Sequence, residues 1–107
     1  MLLKIKPLSV NKSFYGKHIL TKEARQYMND VIWELKNYKG IKVKGNYKIK
    51  IIFTFKSKSS DLSNAVKLFE DCLKKAEIIK DDHFCQEILL IKKIDKKESI
   101  EFEIYEL

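Results

Sequence analysis

The chain has 107 residues, 45% of them apolar, with three Gly and one Pro, which excludes a disordered tail and leaves room for one core, hence one domain spanning 1–107. Its formal charge of +7 and pI ≈ 9.3 come almost wholly from lysine; such a surface attracts polyanions by counterion release, so nucleic acid is the first partner to consider, although the same charge also serves solubility alone. No apolar run approaches the ~20 residues of a membrane span, and Met1-Leu2-Leu3-Lys4-Ile5-Lys6 meets charge too early for a signal sequence, so a cytoplasmic protein is expected, with Cys72 and Cys85 as separate small hydrophobes.

In chain order, Leu2 to Lys6 reads as a short strand that stops at Pro7, which lacks the N–H a ladder needs. Leu8 to Leu20 has no clean period and is expected to be a loop; its Lys12, Tyr15, Lys17 and His18 mix cations with an aromatic, as a loop touching nucleic acid can. Thr21 is placed to cap a helix in which Ala24, Tyr27, Met28, Val31, Leu35 and Tyr38 recur at helical spacing, ending near Gly40. Tyr27 and Trp33 could in principle stack on bases, but aromatics at helical spacing normally belong to a core.

From Tyr47 the period becomes two. Tyr47, Ile49, Ile51, Phe53 and Phe55 point one way and Lys48, Lys50, Thr54 and Lys56 the other, a strand with one buried and one basic face. Gly45-Asn46 suggests a turn, so Ile41-Lys42-Val43 is expected to begin a hairpin or an irregular entry to the strand. Leu62, Ala65, Val66, Phe69, Cys72, Leu73 and Ala76 then form an apolar stripe of period 3.6, a second amphipathic helix. Ile88 to Ile91 is a β-favouring run, Asp95 to Glu98 a polar turn, and Ile100, Phe102 and Ile104 alternate with polar residues in a last strand. The order strand-helix-strand-helix-strand-strand points to an α+β fold, a mixed β-sheet with two helices packed on one face.

The polar side of the second helix holds Ser63, Asn64, Lys67, Glu70, Asp71 and Lys74, with Asp61 at the N-cap position and Asp81-Asp82 just beyond its end. Singly, these have ordinary explanations: Asp61 caps, Lys67 pairs with Asp71 at i, i+4, and Asp81-Asp82 make a turn. Together they could hold Mg²⁺, because hydrolysis of a phosphodiester needs an activated water and compensation of developing charge, and hard carboxylate oxygens hold the ion that supplies both. Asp61 and Asp82 are the first ligands to consider and Asp71, nearly three turns down, a weaker one. Lys67 could offer its ammonium to the transition-state oxygens, and Lys56 and Lys58 lead straight into Asp61.

Asp61-Leu62-Ser63-Asn64, then Lys67, Asp71 and Leu73, then Asp81-Asp82, together with Pro7-Leu8-Ser9-Val10-Asn11, resemble the RusA family of Holliday junction resolvases in both letters and spacing. That family's helix begins D-x-D-N, continues with a lysine and D-x-L, is followed by D-D, and its chain opens P-x-S-x-N. The resemblance implies a Mg²⁺-dependent, structure-selective endodeoxyribonuclease, a homodimer that nicks four-way junction DNA symmetrically in recombination and repair. It implies metal-binding aspartates at Asp61 and Asp82 and a catalytic lysine at Lys67. There are two departures from the pattern. Ser63 stands where the family has a second Asp, which implies weaker metal binding, and His83-Phe84-Cys85 follow the acidic pair where a Gln and an aliphatic residue are usual. Ser63 motivates an alternative, a junction- or nucleic-acid-binding protein with weak or lost cleavage. A lysine-rich domain that binds RNA or protein, its aspartates structural, is a third reading.

Overall fold

The computed structural model describes the backbone of residues 1–8, 14–15, 19–60 and 62–107, and their side chains apart from 14, 15, 19, 20, 63 and 64. The fold is the expected one: two helices and a four-stranded mixed sheet. In chain order come β1 (Leu2–Leu3), β2 (Phe14–Tyr15), β3 (Ile19–Leu20), α1 (Lys22–Leu35), β4 (Tyr47–Phe55), α2 (Leu62–Lys75), a 3₁₀ turn (Asp82–Phe84), β5 (Cys85–Ile94) and β6 (Ser99–Glu106). The sheet runs β1-β6-β4-β5, with β4 antiparallel to β6 and parallel to β5. A parallel pair needs a crossover, and α2 supplies it. The small β2–β3 hairpin lies in a segment expected to be loop; two residues per strand carry no readable period.

β4 takes the central place because its alternation gives one wholly apolar face. Tyr47, Ile49, Ile51, Phe53 and Phe55 are buried with Ile100, Phe102 and Ile104 of β6 beside them. The core aromatics interlock: Phe69 of α2 meets Phe53 and Phe102 edge-on, at centroid distances of 6.0 and 5.5 Å, and Tyr38 stacks on Phe102 at 5.6 Å. β4's other face is less basic than expected, because register sets Glu103 beside Lys50 and Glu101 beside Ile52.

α1 begins as the sequence indicates, Thr21 Oγ1 accepting from the Ala24 N–H at 3.1 Å. It ends at Leu35 rather than near Gly40, because Lys36, Asn37 and Tyr38 donate three residues back and tighten the chain into turns. Tyr38 then donates its hydroxyl to the Ile41 carbonyl at 2.7 Å, its ring so close over Gly40 that a Cβ there would lie 2.4 Å from the hydroxyl oxygen. Ala24, Tyr27, Met28, Val31 and Leu35 form the buried stripe. Trp33 falls outside it and is 69% exposed, with the Lys36 ammonium 4.5 Å from its ring centroid, so the expectation of a core aromatic holds for Tyr27 and fails for Trp33. Among the described residues no helix is long and apolar enough to cross a membrane.

Candidate active site

α2 buries Ala65, Leu68, Phe69, Cys72 and Leu73 against the sheet, which turns Lys67, Glu70, Asp71 and Lys74 to its outer side. The helix stops in a Schellman arrangement: the Ile78 N–H donates to the Leu73 carbonyl at 3.0 Å and the Glu77 N–H to Lys74 at 3.0 Å, with Glu77 at φ 61°. Ile78 and Ile79 plunge into the core, where the Val43 N–H donates to the Ile78 carbonyl at 2.8 Å and Val43 bridges Ile79 in parallel. Ile41-Lys42-Val43 is therefore a clamp on this connection, not one arm of a hairpin. The chain emerges at Lys80 and doubles back along α2, bringing the acidic pair beside the helix.

The two aspartates then diverge. Asp82 lies 3.8 Å from the Lys67 ammonium, whereas Asp81 lies 3.5 Å from Lys74 and 3.3 Å from His83 Nδ1. Asp81 is thus tied down, its carboxyl held well below the usual range by its contact with Asp82 and then by Lys74 and His83, and both aspartates face the polar side of α2, Asp82 at Lys67 and Asp81 nearer the helix's C-terminal end. Lys67, for which pairing with Asp71 on its own helix is the ordinary alternative, has its close carboxylate partner, Asp82, across the crossover. Asp71 belongs to the same field: burial raises its pKa, Lys67 opposes that, and Asp82 raises it further.

Glu70 is the residue that sequence reasoning missed. The helical period sets it on the polar side, one turn after Lys67, but no motif marks it. Half-buried, it has its pKa pushed up to about 7, first by desolvation and then by Asp82, with Lys67 opposing. Near it lies the buried Tyr47, whose hydroxyl sits beside the Cys85 thiol. Burial raises the Tyr47 pKa, and Cys85, Glu70 and Asp82 raise it further. Cys85, half-buried at the start of β5, likewise has its thiol pKa raised by burial and by Glu70. Lys67, Glu70, Asp71 and Asp82 therefore form one electrostatic cluster.

Asp61 and Lys12 lie outside the described residues. Lys56 and Lys58 are exposed on the approach to α2. That approach is pinned by a lysine the sequence did not single out: Lys92 of β5 donates to the carbonyls of Lys58, at 2.8 Å, and of Ser60. Among the described residues no three His, Cys, Asp or Glu side chains are grouped to hold a metal. The donor chemistry nonetheless fits a hard divalent cation, because carboxylates that raise one another's pKa carry excess negative charge that such an ion offsets.

Clustered carboxylates with an ammonium beside them, set on an α+β scaffold in a lysine-rich chain, are the equipment of a nuclease. A family model described as endodeoxyribonuclease RusA matches residues 6–105, nearly the whole chain, and the protein belongs to that family. The family is one of Holliday junction resolvases, so the protein is by family an endodeoxyribonuclease acting on junction DNA. No curated protein matches the chain.

Proposed function

We propose that the chain is a single-domain, cytoplasmic, Mg²⁺-dependent resolvase that works as a homodimer, making paired symmetric nicks in four-way junctions during recombination and repair. The observation that carries this is the 3.8 Å approach of the Lys67 ammonium to the Asp82 carboxylate beside Glu70 and Asp71, at positions that match the family motif. Asp61 and Asp82 would hold the ion, with Asp71 a third, weaker ligand. Mg²⁺, when bound, supplies Lewis-acid activation of water and compensation of phosphate charge. Lys67 would leave Asp82 for a phosphate oxygen and oppose the charge that develops there. Lys12, Lys56 and Lys58 would hold the flanking backbone, a recognition by phosphate and shape rather than by base.

The test is cleavage of a synthetic immobile four-way junction with Mg²⁺ present, alongside Asp82→Asn. Wild type should nick two opposed strands; the variant should lose at least about a hundredfold in rate while binding the junction as well or slightly better, since a negative charge beside the phosphates is gone. If Asp82→Asn cuts at near wild-type rate, Asp82 is a turn residue. Binding without cleavage by wild type would favour the alternative that Ser63 suggests, a junction-binding protein with lost activity.

A further inference from the structure

β5 is an edge strand of ten residues whose outer side pairs with no strand among the described residues. Its middle is apolar on both faces. Ile88 is 40% exposed, Leu89 54% and Ile94 43%, although an uninterrupted run such as Ile88-Leu89-Leu90-Ile91 is the pattern of a strand enclosed by neighbours. A long, flat, apolar edge presents unpaired N–H and C=O groups and acts as a template for another strand.

The strand's own sequence says which strand fits. Its register on β4 puts Ile88, Leu90, Lys92 and Ile94 on the helix side of the sheet, and Glu87, Leu89, Ile91 and Lys93 on the open side. Two copies can join edge to edge antiparallel only about a two-fold axis perpendicular to the sheet, which keeps both helix layers on one side. The axis must then pass through a residue, because facing residues share a side of the pleat. With Leu90 on the axis, Glu87 faces Lys93, Leu89 faces Ile91, and Ile88 lies along the methylene stem of Lys92, whose ammonium is already engaged by its own chain. Shifting the axis to Leu89 sets Glu87 against Ile91; shifting it to Ile91 sets Glu87 against Asp95 and Leu89 against Lys93. Of these three registers, only that centred on Leu90 pairs opposite charges, and symmetry makes the pair twice.

We propose that β5 pairs with β5 of a second copy in this register, giving one continuous eight-stranded sheet with both candidate sites on the same side. This deepens the dimeric part of the proposed function, and its test reads covalent and hydrodynamic state rather than cleavage, so the two can fail separately. In a Cys85→Ser background, where the remaining Cys72 is buried with its thiol pKa pushed up to about 12, Leu90→Cys should cross-link to its copy under mild oxidation. Facing residues lie about 4.5–5.5 Å apart between Cα atoms, within disulfide reach. Leu89→Cys and Ile91→Cys should cross-link at least tenfold more slowly, because each meets its own copy only on the diagonal at about 7–8 Å. Sedimentation of the uncrosslinked protein gives the second arm: Glu87→Lys should weaken the dimer by roughly tenfold, two facing pairs having turned from attraction to repulsion, and adding Lys93→Glu should restore it. A monomeric wild type at high micromolar concentration, equal cross-linking at the three positions, or no effect of Glu87→Lys would each overturn the proposal.

Discussion

Glu70 shows how a single position can bind pH to stability. Its folded-state pKa of about 7 lies above the ordinary value of 4.5 because the half-buried carboxyl loses solvent and feels Asp82. Between those two pH values the folded chain keeps a proton that the unfolded chain has released, so the stability of the metal-free protein falls as pH rises from about 4.5 to about 7 and stays low above. Asp71, raised by burial, adds in the same direction. Asp81, held low, has the opposite sign: its contribution is present at neutral pH and is lost only on acidification below the usual carboxylate range. Glu70→Gln should therefore raise the urea midpoint at pH 8 in the presence of chelator and flatten the decline between pH 5 and 7. An unchanged slope would mean that Glu70 ionises without cost and lies apart from Asp82. The sequence made Lys67, Asp71 and Asp82 legible because motif spacing fixed their helix side and their return. It could not single out Glu70, whose significance arises only when the chain folds back and sets Asp82 beside it.

At the level of elements, the strong periodicities translated directly. β4's alternation and the α2 stripe correspond to the buried face and the packed side, because period alone decides what a helix or strand can bury. Less legible were features set by tertiary neighbours. The run Ile88 to Ile91 reads only as β-favouring and lies at the sheet edge, and α1 ends at Leu35, where Lys36 to Tyr38 tighten into turns, rather than near Gly40. Nor does sequence announce the end of α2, where Glu77 takes the left-handed conformation usually given to glycine. A non-glycine residue there costs about 1 kcal/mol, and the exposed Glu77 side chain sits outside the packed stripe. Glu77→Gly should thus stabilise the protein by up to about 1 kcal/mol, less the extra freedom that glycine gives the unfolded chain. Chemical denaturation at neutral pH checks this. A loss of stability would show that the Glu77 side chain makes a contact worth more than the backbone strain it imposes.

Across the whole molecule, the distribution of charge matters more than its sum. The chain carries +7, but on the open sheet face Lys50 is set beside Glu103 and Lys48 beside Tyr105, its ammonium 5.4 Å from that ring centroid. Those lysines are partly compensated by their own sheet. Lys56 and Lys58 stand exposed on the approach to α2, and Lys67 and Lys74 on its polar surface, where Asp82 and Asp81 are their salt-bridge partners. DNA laid over the candidate site would displace counterions through the second group and not the first. Affinity for a junction should fall steeply with salt, and each phosphate contact removed should lower the slope of log K against log salt by about 0.9. Lys56→Ala and Lys58→Ala are expected to lower it by about one each, whereas Lys48→Ala and Lys50→Ala should leave it unchanged although they remove the same formal charge. Titrations from low to physiological salt with the Asp82→Asn protein, which is expected to bind without cutting, would decide. Equal losses from all four substitutions would show that net charge alone draws the DNA. A larger loss from Lys48 and Lys50 would put the nucleic acid on the open face of the sheet, away from the cluster that is to cut it.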